Sequence, residues 1–209
     1  FMHMKEWGTK ASVSSVDRGI GPGDDFELFF GGDGSDPAFF PIPEDVTTLS
    51  LREYYVDWRQ EEPATFTIEC LDDLPAPPAA DAERLAGQLD HALEQVESSV
   101  FGWNEYMNEH RAKGTDNTFA PQQKLAKGLS DARYAFLFWD LAPDEALVIE
   151  TDVPRARYWG LQLATLGWFE QVDPIHRITS INQHQARPSE DGRVRFVLAH
   201  ADPGVPNWL

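Results

Sequence analysis

Cysteine is almost missing from this 209-residue chain. Cys70 stands alone, which excludes an intramolecular disulfide and every zinc or iron–sulfur site that needs several thiolates. Basic residues are scarce as well. Seventeen Lys and Arg against 35 Asp and Glu leave a formal charge of −18, whereas binding to a phosphate backbone or an anionic lipid surface needs the opposite balance. Neither nucleic acid nor membrane is therefore an expected partner. No stretch approaches the roughly 20 consecutive apolar residues of a membrane helix, and no basic-then-apolar leader opens the chain. The lone cysteine fits a cytoplasmic location without excluding export. Phe1 is not an initiator methionine, and the chain stops on Trp208-Leu209, two large apolar side chains where exposed polar ones are usual. Both ends are expected to be cut from a longer protein.

Several catalytic signatures are also missing. There is no Gly-x-Ser-x-Gly elbow. The run Gly19-Ile20-Gly21-Pro22-Gly23 lacks the G-x-G-x-x-G spacing of a nucleotide loop. The acidic loop with Asp24, Asp25, Asp33 and Asp36 lacks the regular ligand spacing of a calcium site and reads as a solvated turn. No His-x-His pair occurs, so His176, His184 and His200 read as members of polar strands and no metal is expected. Acidic residues are so abundant that no single carboxylate pair stands out as a glycosidase site.

What remains is an ordinary folded composition, 42% hydrophobic and 25% charged. Its periodicities describe the architecture. Phe26–Phe30 reads as a buried strand between glycine-rich turns, and residues 46–58 and 64–71 alternate as the two arms of a β-hairpin. In the second arm Phe66, Ile68 and Cys70 share a face, which predicts a buried, inert thiol. After a Pro/Ala-rich connection, Asp81 is placed to cap a helix running to about Arg111. Its apolar residues Leu85, Leu89, Leu93, Val96, Val100, Trp103 and Met107 recur at helical spacing. Residues 121–131 suggest a second, short helix.

Beyond Arg133 the alternation returns over residues 134–141, 145–151, 157–165, 179–187 and 193–200, with Asp191-Gly192 as a hairpin turn. The expected fold is mainly β, an antiparallel β-sandwich or jelly-roll-like body with an inserted α-helical segment. Its portions are an N-terminal β part over 1–73, a helical insertion over 74–132 and a C-terminal β part over 133–209.

The candidate site is uncharged and aromatic. Tyr158 and Gln162 share a side of one strand, Asn182, His184 and Gln185 decorate another, and Arg52 shares a face with Tyr54 and Trp58. Rings that stack and amides that hydrogen-bond suit a neutral polar small molecule or carbohydrate. Arg52, Tyr158, Gln162, Asn182 and Gln185 are thus the binding candidates, and His184 or His200 the candidate general base, because histidine titrates near neutral pH. No cofactor is expected, and a homo-oligomer is compatible with the sequence. The competing reading is a non-catalytic structural or interaction module completed by further chain segments or a partner.

The segments Asp144–Glu150, Arg157-Tyr158-Trp159-Gly160-Leu161-Gln162-Leu163, Asn182-x-x-Gln185-Ala186-Arg187 and Asp202-Pro203-Gly204-Val205-Pro206-Asn207-Trp208-Leu209 together resemble the bacterial "domain of unknown function 1214" family. The resemblance runs from about residue 26 to the end and implies a β-sandwich or jelly-roll-like body with an inserted helical segment. That family has no assigned activity, so it implies no catalytic residues. It does imply a further strand beyond Leu209, whose absence would leave an open sheet edge. Asn207 and Trp208 are expected to be structural, the amide tying a loop and the indole closing the core.

Overall fold

In the computed structural model, residues 8–32, 34–46, 48–73, 75–76, 78–79, 81–125 and 128–209 are described. They fall into two units: one drawn from Phe1–Leu51 with Ala120–Phe136, the other from Arg52–Phe119 with Leu137–Leu209.

In the first unit, glycines permit a turn that few other residues could make. Gly31, Gly32 and Gly34 all take positive φ, which lets Phe29–Phe30 (β1) fold back beside Phe39–Phe40 (β2) in a short parallel pair. Rings then pack across it, Phe29 tilted against Phe39 at 5.5 Å and Phe30 edge-on to Phe40 at 6.0 Å between centroids, and the Arg18 guanidinium lies over Phe40. The expected strand is shorter than its apolar run, and Phe26 and Phe29 remain partly exposed. Asp33 of the acidic loop lies outside the described residues. The short helix expected over residues 121–131 is not found among the described residues. An isolated antiparallel bridge between Gln123 and Tyr134 takes its place.

The long helix of the second unit forms as its periodicity predicts. It spans Ala82–Ala112 (α1), and the Asp81 carboxylate accepts the N–H of Arg84, satisfying one of the donors a helix start leaves free. Arg111 occupies the last turn, where its positive charge meets the negative end of the helix dipole. At 31 residues the helix is long but not apolar enough to cross a membrane, and no helix among the described residues is both.

The stripe along α1 divides into two halves. Met107 is buried, and Trp103 packs its ring on Phe169 at 5.8 Å. Leu85, Leu89, Leu93 and Val96 stay 56–63% exposed.

The β-sandwich expectation is overturned. Among the described residues each sheet has only two strands: β1 with β2, Ala146–Asp152 (β3) antiparallel to Arg193–Ala199 (β6), and Gly160–Gln162 (β4) antiparallel to Ser180–Asn182 (β5). A sandwich needs sheets broad enough to cover each other, and two-strand ladders leave too little inner face. The hairpin over residues 46–58 and 64–71 is also absent among the described residues, Thr47 lying outside them. Its alternation is present in the sequence, but the backbone donors are diverted. The Glu61 carboxylate accepts the N–H groups of Val56 and Asp57, and Glu53 takes that of Ala64. Ile68 is left 87% exposed, and Cys70 is exposed too, which corrects the buried thiol.

One core holds the C-terminal elements together. On β6 Val194, Phe196 and Leu198 point inward, as their alternation predicts, and meet Ile149 of β3, Ile181 of β5 and Leu209. The Asp191-Gly192 turn forms with Gly192 at φ 78°, but the strands on its two sides pair elsewhere, β5 with β4 and β6 with β3. The Asn207 amide ties a loop as expected: its nitrogen donates to the carbonyls of Arg187 and Arg195, and its oxygen accepts the N–H of Arg187. The side chain that closes the core is Leu209, while the Trp208 indole N–H bonds the carbonyl of Ala199.

The outer face of the β3–β6 ladder is electrostatic. Register sets Glu150 opposite Arg195 and Asp152 opposite Arg193. Glu150 pairs with both arginines, and Asp191 pairs with Arg195 at 2.6 Å. The Arg195 hydrogen bonds, with help from the Arg193 backbone N–H, hold the Asp191 carboxyl at about 2, below its ordinary 3.8. A depressed carboxyl supports the fold above its ordinary value and loses that support as pH falls towards the folded one. Urea melts at pH 6, 4 and 2 are therefore expected to show the native chain losing stability between pH 4 and 2. Asp191→Asn should be weaker at pH 6 and show a shallower decline over that window. Parallel declines would remove Asp191 from the acid response.

Candidate functional site

Four of the residues singled out in the sequence, Tyr158, Asn182, His184 and Gln185, gather at one end of the β4–β5 ladder. Gly160 lets the two strands approach closely there: a Cβ at this position would lie a tight 3.2 Å from the Ile181 carbonyl oxygen and 3.4 Å from the Asn182 Cα. This close approach brings the end of β5 beside residues 157–160, and Gln183 N–H bonds the Trp159 carbonyl one step beyond the ladder. Asn182 is buried, and its amide is fully used. Its nitrogen donates to the carbonyls of Tyr55 and Val56 at 3.2 and 2.9 Å, and its oxygen accepts the N–H groups of His184 and Gln185. The Gln185 side-chain oxygen accepts the Asn182 N–H. Gln183, which the sequence reading passed over, accepts the N–H of Trp159 and donates to the carbonyl of Arg157.

Asn182 thus docks the segment around residues 52–61 onto this ladder end. Two side chains of that segment, three residues apart, then meet partners across the joint. Tyr54 packs on Tyr158 with ring centroids 5.1 Å apart, and Asp57 lies 3.4 Å from Nε2 of His184. The Asp57 side chain is mostly covered and also accepts from Gln60 Nε2 and the Arg59 N–H, whereas His184 is half exposed. A histidine with one nitrogen against a carboxylate has the other available as a proton acceptor.

Not every candidate joins this group. Arg52 and Gln162 are exposed, and their side chains have no partner among the described residues. His200 lies past the end of β6, where its Nε2 meets the carbonyl oxygen of Leu141 at 3.2 Å. Among the described residues, no three His, Cys, Asp or Glu side chains are placed to hold a metal ion. A cleft of about 420 Å³ opens elsewhere, lined by Asn108, Arg111, Ala112, Gly114 and Asp116. Its two charges satisfy each other, with the Arg111 guanidinium bonding both carboxylate oxygens of Asp116 at 3.1 and 2.7 Å. That bond raises the Arg111 pKa and lowers that of Asp116.

Asp57 is the main group that sequence reasoning missed. It falls among alternating residues of an expected strand, and only the fold carries it to His184. The signal that could have been used was local: Asn182-Gln183-His184-Gln185 is rich in side chains that bond their own backbone, the mark of a turn rather than of a strand.

The chain is similar to the crystal structure of an uncharacterised protein from Burkholderia cenocepacia, with 33% identity and a TM-score of 0.65 over 74% of this chain. It spans 44% of the length of that protein's chain. No protein-family model and no curated protein sequence matches it.

Proposed function

We propose that this chain is an interaction module, and that its working surface is apolar rather than polar. The observation that carries this is the division of the α1 stripe. Val100, Trp103 and Met107 are at least half-covered, while Leu85, Leu89, Leu93 and Val96, continuing the same face, remain in solvent. Residues 82–94 are exposed throughout. A helix in water draws most of its stability from packing its apolar face, so an uncovered half is marginal until something covers it.

The ligand reading has less support. Asn182 and Gln185, expected to hold a small molecule, hold backbone instead, and Arg52 and Gln162 have no shared target. The "domain of unknown function 1214" family that the motifs resemble has no assigned activity, so the proposal rests on these residues alone.

The double variant Leu89→Gln/Leu93→Gln tests it. If these leucines serve a partner and not the chain's own fold, stability in urea should change by no more than about 0.5 kcal/mol. Fluorescence of an apolar-surface dye added to the chain should fall. A loss of about 2 kcal/mol or more would mean that the chain itself covers them, and the proposal would fail.

A further inference from the structure

The exposed leucine stripe has two unlike borders. Successive helix residues turn by about 100°, so Asp90 and Glu97 lie along one side of Leu89, Leu93 and Val96, seven residues apart. Gln88, Ala92 and Ser99 line the other side, short or neutral throughout. Glu83 and Glu94 add negative charge further round. The one Arg of this stretch, Arg84, and its one His, His91, sit on the far face, where Arg84 donates to the Pro78 carbonyl and His91 lies 3.9 Å from Glu94.

The stripe also has a period suited to a second helix. From Leu89 through Leu93, Val96, Val100, Trp103 and Met107 the steps alternate between four and three residues, the spacing of two helices packed side by side. Its C-terminal half is occupied by the chain's own Phe169. Its N-terminal half is open, with one acidic border and one small, neutral border that lets another helix approach closely.

We infer that this half of α1 docks a basic amphipathic helix of another protein, one carrying Lys or Arg at seven-residue intervals beside its own apolar stripe. The inference rests on the interaction reading above and adds the partner's chemistry. Apolar contact with Leu85, Leu89, Leu93 and Val96 supplies affinity, and cations set against Asp90 and Glu97 fix orientation and register. A second copy of this chain is a poorer occupant. Antiparallel pairing would set the acidic border against itself, and parallel pairing would face Asp90 and Glu97 with Ala92 and Ser99, which offer no opposite charge.

Two labelled three-heptad peptides test this against the full chain by fluorescence anisotropy. They share one leucine stripe and differ in having Lys or Glu at the border positions. The Lys peptide should bind about tenfold tighter or more at low salt, a margin of about 1.4 kcal/mol, and the margin should shrink as salt screens the pairs. Asp90→Lys/Glu97→Lys should reverse the order, and Leu89→Ala/Leu93→Ala should weaken both peptides. All four positions are exposed, and a thermal melt reports that each variant still folds. Equal binding of the two peptides overturns the basic-helix inference and leaves the interaction reading standing. So does self-association through Leu89 and Leu93 in light scattering. Binding of neither peptide also overturns it, and the stability of Leu89→Gln/Leu93→Gln then decides separately whether the interaction reading falls too.

Discussion

Phe196→Ala is expected to destabilise the C-terminal core by about 3–5 kcal/mol, the largest single effect among these residues. Phe196 is 3% exposed and is the largest side chain in a cluster that otherwise consists of Ile149, Ile181, Val194, Leu198 and Leu209. Truncating it removes apolar contact and leaves a cavity that neighbouring β-branched side chains, with few rotamers, fill poorly. For a chain of this size such a loss lowers Tm by roughly 6–20 °C. The Trp159 ring lies 6.4 Å from that of Phe196, edge to face, so tryptophan fluorescence should report the change directly. Val148 sits on the same ladder but is 57% exposed on the opposite face. Val148→Ala should stay within about 0.5 kcal/mol. Equal effects from the two substitutions would mean that β6 does not face the core described above.

The second large effect is expected at Asn182. Its amide makes four hydrogen bonds to backbone groups, two of them to a segment more than a hundred residues away in sequence. Asn182→Ala removes the side-chain partner of the half-buried Tyr55 and Val56 carbonyls and of the His184 N–H, at a cost of about 2–4 kcal/mol. The segment around residues 52–61 should then release, separating Tyr54 from Tyr158 and Asp57 from His184. Limited trypsin digestion, read at the Arg59 bond, should accelerate strongly, and the amide of His184 should exchange faster. Asn182→Asp separates the two halves of the clamp. It keeps an acceptor for the N–H groups of His184 and Gln185 but cannot donate to Tyr55 and Val56. Cleavage at Arg59 should rise while protection of the His184 amide persists. If neither variant alters cleavage, the segment is held by something other than Asn182.

These two positions also separate what could be read locally from what could not. The alternation of Val194, Phe196 and Leu198 placed them on one face in the sequence, and the fold buries them together. The α1 cap and extent were equally legible, because Asp81 and the helical spacing of apolar residues act within a few turns. Pairing was not legible. The segments 46–58 and 64–71 alternate as well as β6 does, yet the side chains of Glu53 and Glu61 take backbone donors that a hairpin would have used. Alternation states which side chains share a face and is silent on which strand lies alongside.

The site shows the same division. Tyr158, Asn182, His184 and Gln185 were found from composition and strand phase, and the structure brings them close. An amide has no intrinsic preference between a ligand and a carbonyl, and the nearby carbonyls of Tyr55 and Val56 take the Asn182 donors. Asp57 gained its partner only through that docking.

By itself, then, the sequence determined the helix and its cap, the inward face of β6, and the strongly acidic charge balance. Each depends on the order or the number of side chains. Only the tertiary structure decided how the strands pair, that Cys70 and half of a leucine stripe remain in solvent, and that Asn182, Gln183 and Gln185 near β5 bond the chain's own backbone. Each of those depends on which distant segment comes to lie alongside.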